Sequence, residues 1–332
     1  MNELSNLSLE SIERARERIE EHVFRTPLTT SRSLTELTGT QVSLKLEHYQ
    51  RTGSFKLRGA TNAILQLSPS DRARGVIAAS TGNHGRALSY AAKAVGSRAT
   101  ICMSDLVPEN KVSEIRKLGA TVRIVGSSQD DAQVEVERLV AEEGLSMIPP
   151  FDHPHIIAGQ RTVGLEIVEA MPDVAMVLLP LSGGGLAAGV AAAVKALRPH
   201  ARIIGVTMDR GAAMKASIEA GHPVQVKEYR SLADSLGGGI GMANAWTFQM
   251  CRALLDDVVL VNEGEIAAGI RHAYEHERQI LEGAGAVGIA ALLSGKVAAR
   301  GGSVGVVLSG QNIDMGLHRE VINGVVRATE ED

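Results

Sequence analysis

The chain carries the segment Thr52-Gly53-Ser54-Phe55-Lys56-Leu57-Arg58-Gly59-Ala60, in which one lysine stands among small and apolar neighbours. A solvated lysine is protonated and inert, whereas a lysine in an apolar pocket has a lowered pKa and a free amine able to form an imine. Because most lysines are solvated, Lys56 gains significance only from features elsewhere in the chain.

An alternation of short apolar runs with longer helical patterns begins near residue 75. The first series predicts strands 76–79, 99–103 and 121–125 with helices 84–95, 110–118 and 129–143. The second predicts helices 156–170, 185–197, 211–220, 263–278 and 284–298 with strands 175–181, 203–207, 258–261 and 304–308. This alternation is typical of parallel sheets covered on both faces. We therefore predict an α/β fold of two doubly wound sheets, with ligands at the carboxyl ends of the strands.

Length and composition restrict the class of protein. The 332 residues suggest about two domains, and 44% apolar residues suffice for substantial cores. A balance of 34 basic and 38 acidic residues gives no reason to expect a nucleic acid partner. Cys102 and Cys251 lie in apolar runs and are predicted to be buried thiols in a reducing cytosol. No run approaches the ~20 apolar residues of a membrane span, so we expect a soluble cytoplasmic protein.

Loops of distinctive composition follow three of the predicted strands. The loop Ser80-Thr81-Gly82-Asn83-His84-Gly85 opens a helix, where backbone N–H groups can hold a carboxylate; the alternative is an ordinary helix cap. The loop Ser182-Gly183-Gly184-Gly185 can close around a phosphate. The hydroxyl of Ser309, in the loop 309–312, either meets a ring nitrogen or simply ends a strand. One lysine with such anion cradles indicates a cofactor that bears a phosphate and an aldehyde.

Taken together, these segments resemble the fold-type II pyridoxal-phosphate enzymes, specifically the serine/threonine dehydratase group. The resemblance is carried in order along nearly the whole chain by Ser54–Ala60, Ser80–Gly85, Ile157–Gln160, Ser182–Gly189 and Leu308–Asn312. It implies a tryptophan synthase β-like fold with pyridoxal 5′-phosphate in a cleft between two open-sheet domains. It places a large cofactor-binding domain at 1–74 and 153–332 and a small substrate-loop domain at 75–152, with approximate boundaries.

The resemblance also implies roles for individual residues. Lys56 would form the imine with the cofactor aldehyde and, once displaced by the amino acid, would remove its α-proton as a general base. The cofactor contacts would come from Phe55, Asn83 (phenolic oxygen), Ser182, Gly183, Gly184, Gly185 and Leu186 (phosphate), Glu282 (near the ring) and Ser309 (pyridine nitrogen). The substrate carboxylate would bind Ser80, Thr81, Gly82, Asn83 and His84. Thr81 is also a second catalytic candidate, because serine racemases carry there the serine that acts on the other face.

The implied reaction is elimination of water from a β-hydroxy amino acid of the threonine or serine type, which yields a keto acid and ammonia. Serine at position 309 makes the cofactor a modest electron sink, which suits elimination. The segments 102–111 and 233–241 resemble dehydratases of hydroxyectoine utilisation, and 3-hydroxyaspartate is a further candidate substrate. The family commonly forms homodimers.

Two other functions are compatible with parts of the sequence. A racemase would use the same scaffold. A dinucleotide-dependent oxidoreductase would use Gly183-x-Gly185-x-x-Ala188 with Asp209, but it would leave Lys56 and Ser309 without a purpose. We expect no metal, because Thr207 and Ala213 stand where some relatives carry carboxylates. Arg86 and Arg161 depart from the family pattern, with either surface or substrate-facing roles open.

Overall fold

Two sheets with helices on both faces form the structure, a computed structural model that describes residues 9–80, 82–107, 109–299 and 301–325. Strands β1 to β10 span Leu28–Ser31, Val42–Lys45, Val76–Ala79, Ala99–Met103, Thr121–Ile124, Ser146–Met147, Val174–Pro180, Arg202–Met208, Asp257–Val261 and Ser303–Val307. Helices α1 to α14 span Leu9–Ile19, Arg32–Thr38, Lys56–Leu65, Pro69–Arg74, Asn83–Ala94, Glu109–Lys117, Gln129–Glu143, Pro154–Ala170, Gly185–Leu197, Ala213–Ala220, Thr247–Leu254, Glu263–Glu275, Gly283–Leu293 and Met315–Ile322.

The strand order confirms two separate sheets. The larger has the order β1-β2-β10-β7-β8-β9, and the smaller has the order β5-β4-β3-β6. All pairings are parallel except that of β1 with β2, which the sequence did not predict. β1 is an edge strand whose residues Thr29 and Thr30 are exposed, so it lacks the apolar run that marks a buried strand.

Several helices match their predicted limits, and others end early for a local reason. Helix α7 begins with a capping box in which Ser128 and Asp131 exchange hydrogen bonds, and it ends at Gly144, which has a left-handed φ of 66°. Helix α13 was predicted to reach residue 298 but ends at Leu293. Gly295 has a φ of 69°, which is incompatible with a continuing α-helix.

The sheet topology places two of the predicted loops at the same edge of the larger sheet. β10 and β7 are parallel neighbours, with Val306 opposite Leu178, so their following loops leave the larger sheet at the same edge. The loop before α3 joins them, because Phe55 N donates to Ser309 O at 3.1 Å. The loop after β3 comes from the carboxyl edge of the smaller sheet.

Helix α3, which begins at Lys56, crosses α8 at backbone contact distance. A Cβ on Gly159 would lie 2.6 Å from Arg58 O, so only glycine permits this crossing. Apolar side chains of α3, including Leu57 and Ile64, pack in the core around the smaller sheet. The core around the smaller sheet contains side chains from both predicted domains. The boundaries between the two domains stay a prediction.

The two cysteines, Cys102 and Cys251, are buried free thiols, as the sequence predicted. Among the described helices, none has the length and hydropathy needed to cross a bilayer.

Candidate active site

The amine of Lys56 lies at the start of α3 in a desolvated position. Its Nζ donates a hydrogen bond to Pro150 O at 2.8 Å. Removal from water lowers the pKa of this amine to about 8, although the nearby carboxylate of Glu282 acts in the opposite direction. The side chain as a whole is half-buried. The lowered pKa increases the fraction of neutral amine, which is the form that imine chemistry requires.

Asn83, Glu282 and Asn312 form a closed ring of hydrogen bonds. Asn83 Nδ2 donates to Glu282 Oε1 at 2.7 Å, and Asn312 N donates to Glu282 Oε2 at 3.1 Å. Asn312 Nδ2 closes the ring by donating to Asn83 Oδ1 at 2.6 Å. We call this set the amide–carboxylate ring.

Glu282 occupies the N-cap position of α13 but makes no capping hydrogen bond with its side chain. Its carboxyl group turns instead toward Asn83 and Asn312. Burial, reinforced by the charge of Asp234, raises the pKa of Glu282 to about 7, although the hydrogen bonds from Asn83 and Asn312 oppose this. The side chain of Glu282 therefore does not cap α13.

The glycine loop before α9 packs tightly against the segment 150–151, which contains the hydrogen-bond acceptor of Lys56. A Cβ on Gly183 would lie 2.3 Å from the ring of Phe151, and Gly184 has a left-handed φ of 89°. Phe151 directly follows Pro150, the hydrogen-bond partner of Lys56. The first N–H groups of the 13-residue helix α9 have no intrahelical partners and carry a partial positive charge. Ser182 is half-buried and Leu186 is buried in the first turn.

The loop of Ser309 lies directly beside the loop that leads to Lys56. Ser54 pairs with Gly310, and the ring of Phe55 lies 5.3 Å from Lys56 Nζ. The hydroxyl of Ser54 is buried and has no partner among the described residues. Ser309 is buried just after β10, and its contact with a bound ring stays a prediction.

The predicted carboxylate loop opens α5. Ser80 Oγ accepts from Gly85 N at 3.0 Å, and a Cβ on Gly82 would meet open space. His84 Nε2 donates to Ile148 O at 2.7 Å; burial, together with the charge of Lys56, lowers the pKa of His84 to about 3, so its ring is neutral. The loop can therefore offer backbone N–H groups but no charged imidazole. Thr81 lies outside the described residues.

Several residues near the site had no role assigned from the sequence. Asn312 belongs to a recognised motif, but nothing local indicated its contact with Asn83. Asp152 accepts hydrogen bonds from the backbone of residues 245–247 and so ties the segment after Pro150 to the start of α11. No sequence signal marks this contact, because the two segments are far apart in the chain.

Arg86 and Arg161, whose roles the sequence left open, make contacts between helices. Arg86 pairs with Glu114 at 3.6 Å, and Arg161 Nη1 reaches Ser11 Oγ at 3.5 Å. Within the described part of the chain, no three histidine, cysteine or carboxylate side chains cluster in a way that would hold a metal ion.

Comparison with known proteins identifies the class. A model of the family "pyridoxal-phosphate dependent enzyme" matches residues 19–310, and the chain belongs to this family. The cofactor is therefore pyridoxal phosphate, and the dinucleotide alternative is set aside.

Among characterised relatives, the chain is 41% identical to L-threonine ammonia-lyase of Thermotoga maritima, over 97% of this chain and 80% of the relative. It is 36% identical to L-threo-3-hydroxyaspartate ammonia-lyase of Saccharomyces cerevisiae, over 93% of this chain and 94% of the relative. The structure of maize serine racemase superposes with a TM-score of 0.89 at 32% identity, covering 96% of this chain and 97% of that one.

The residues present fit the cofactor. The amine of Lys56 is desolvated. The glycine loop and the N-terminus of α9 provide N–H groups for a phosphate. The amide–carboxylate ring uses one hydrogen of Asn83 Nδ2, and the second hydrogen remains for a ligand. These features match an aldehyde, a phosphate and a phenolic oxygen respectively. The individual contacts remain predictions.

The raised pKa of Glu282 predicts a pH-dependent stability. Between pH 4.5 and about 7, the folded protein holds a proton on Glu282 that the unfolded chain has lost, so this group lowers stability as the pH rises. Glu282→Gln removes the effect. We expect the free energy of unfolding of the variant, minus that of the parent, to rise by about 3 kcal/mol from pH 4.5 to 7 and to stay level above pH 7.

Urea unfolding at several pH values measures this difference. Glu36→Gln, at an exposed position of α2, serves as the matched control, and this substitution should cost no more than about 1 kcal/mol at any pH. A Glu282→Gln difference that is flat with pH would contradict the burial of an ionisable proton at this position.

Proposed function

We propose that this protein eliminates water from L-threonine or a close β-hydroxy amino acid and releases a keto acid and ammonia. The observation that carries the proposal is a desolvated lysine amine that interacts with the charge of Glu282 and donates to Pro150, the residue before the Phe151 ring that packs on the glycine loop. The names of the similar proteins support it, since two of them are ammonia-lyases of β-hydroxy amino acids.

Pyridoxal phosphate, when bound, supplies a conjugated ring that accepts the electrons left behind as the α-proton departs. Lys56 can take up this proton at Nζ, because a pKa lowered to about 8 makes the neutral amine much easier to reach than in a solvated lysine. Pro150 O, which accepts a hydrogen bond from the same atom, can hold the protonated amine in place. One residue would thus act as both attachment point and general base.

The remaining residues would bind and orient. Backbone N–H groups at the start of α5, in the loop 80–84, would hold the substrate carboxylate against the positive helix end. The loop 182–186 would hold the cofactor phosphate in the same manner at α9. Ser309 is neutral, so it would accept or donate a hydrogen bond at the pyridine nitrogen without adding a charge. Such a modest electron sink suits elimination, in which the β-hydroxyl leaves as the α-proton departs.

A panel of amino acids tests the proposal. L-threonine, L-serine, L-threo-3-hydroxyaspartate and a hydroxyectoine-derived amino acid would be compared with L-alanine, which has no β-hydroxyl. We expect equal amounts of keto acid and ammonia, no reaction with L-alanine, and a kcat/KM for the preferred substrate at least about tenfold above the others. Absence of ammonia with every substrate would contradict the lyase, and recovery of the D-amino acid alone would favour the racemase.

The location and the partners of the protein belong to the same proposal. We propose that the protein works in the cytoplasm as a homodimer, with an amino acid as its small-molecule partner and with no nucleic acid or membrane partner. The two buried free thiols are compatible with a reducing compartment. Light scattering of the purified protein gives the mass that decides between monomer and dimer.

A further inference from the structure

Asn83 can face a bound cofactor in two ways that differ chemically. The amide can present either its N–H group or its oxygen to the phenolic oxygen of the ring, and only the N–H group stabilises that oxygen. Something must therefore fix the amide of Asn83 in one of two orientations that have nearly the same shape.

The contacts of Asn312 determine this orientation. Its Nδ2 carries two hydrogens and faces two acceptors, Asn83 Oδ1 at 2.6 Å and Thr52 O at 2.9 Å. A flipped Asn312 amide would set its oxygen against both of these oxygens. Its Oδ1 lies against Gly53, where a Cβ would be 2.6 Å away and where φ is 75°, so a larger residue there would displace the amide.

The same logic then applies to Asn83. Its Oδ1 must face the Asn312 donor, and its Nδ2 must face the carboxyl group of Glu282 at 2.7 Å. A flip would set the NH₂ group of Asn83 against that of Asn312, so the hydrogen bond between them would be lost whether or not Glu282 is protonated. One hydrogen of Asn83 Nδ2 is engaged by Glu282, and the second remains for a ligand.

From this geometry we infer that Asn312 is a positioning residue, which orients Asn83 so that a single N–H group points at the phenolic oxygen of pyridoxal phosphate. The inference rests on the proposed function only in its choice of cofactor atom. Glu282 is the second support of the orientation, and its contact with the backbone N–H of residue 312 survives any side-chain substitution there.

Variants of Asn312 test the inference through cofactor retention and the visible absorption of the holoenzyme. Asn312→Asp keeps the shape of the side chain but replaces its N–H donor with an oxygen acceptor. Asn312→Ala removes the donor without adding an acceptor. We expect the holoenzyme to lose cofactor after dilution about tenfold faster with alanine, and faster still with aspartate, with a visible band whose pH titration is displaced from that of the parent. Gln311→Glu makes the same amide-to-carboxylate change at the neighbouring exposed position and should match the parent.

Each outcome decides the question. If Asn312→Asp fails to fold by circular dichroism, the alanine variant alone is used. A folded Asn312→Ala holoenzyme with the retention and pH titration of the parent overturns the inference, as does equal loss in Gln311→Glu. A parent protein without any visible band, or without a borohydride-stable adduct on Lys56, would instead overturn the proposed function.

Discussion

Replacement of Lys56 by alanine is expected to lower kcat by at least about 10³-fold, because it removes both the attachment point and the general base. Borohydride treatment of the parent should leave a cofactor adduct on the peptide that contains Lys56, and the variant should carry none. Lys56→Arg should be as inactive as Lys56→Ala. A guanidinium keeps its proton at any working pH and cannot serve as the base, even though it has a similar length and charge.

Lys117→Ala is the control for this experiment. Lys117 is an exposed residue of α6 that pairs with Glu114 at 2.8 Å, and its loss should leave kcat and the adduct unchanged. Circular dichroism should show that Lys56→Ala is folded, because it removes a desolvated amine and not a structural charge. Full activity in Lys56→Ala, or an adduct on another peptide, would show that a different amine carries the cofactor.

The sequence predicted those parts of the fold and site that are encoded locally. Strands such as β3 (Val76–Ala79) and β7 (Val174–Pro180) are continuous apolar runs, and helix α7 has its own cap signals at both ends. The candidate residues Lys56, Asn83 and Ser309 each lie in a short motif that leads out of or into a regular element. Such signals depend on neighbours in the chain and survive without knowledge of the tertiary structure.

Contacts between distant segments were not predictable in this way. Asn312 is separated from Asn83 by 229 positions, and their hydrogen bond depends on how the two sheets meet. Lys45, Glu47 and Glu166 have the residue types of a solvated surface, yet all are buried. Their charges become understandable only once the structure shows that they surround Arg58.

The buried ion cluster of Lys45, Glu47, Arg58 and Glu166 anchors the helix that carries Lys56. Arg58 donates to Glu47 through Nε and Nη2, each at 2.8 Å, and to Glu166 through Nη1 at 2.7 Å. Lys45 Nζ also pairs with Glu166. The two cations and two carboxylates balance, and although burial opposes its charge, the two carboxylates together raise the pKa of Arg58.

Arg58→Met is expected to lower the free energy of unfolding by about 3–5 kcal/mol at pH 8, because it leaves two buried carboxylates with one lysine between them. Urea unfolding measures the loss. Arg16→Met is the matched control: Arg16 pairs with Glu169 at 2.7 Å with both side chains one-third exposed, and its loss should cost about 0–1 kcal/mol.

The pH dependence of the Arg58→Met effect separates lost charge from lost packing. In the parent, burial acts to raise the pKa of Glu47, but Arg58 outweighs it and holds that pKa below the ordinary value. This depressed pKa contributes stability that is present above the ordinary pKa of glutamate and is lost as the pH falls through the folded value. The variant lacks most of this contribution, so its deficit should be level at neutral pH and should shrink as the pH falls below the ordinary glutamate pKa of 4.5. A deficit that is constant with pH would assign the loss to packing, and a cost no larger than that of Arg16→Met would show that the cluster does not anchor α3.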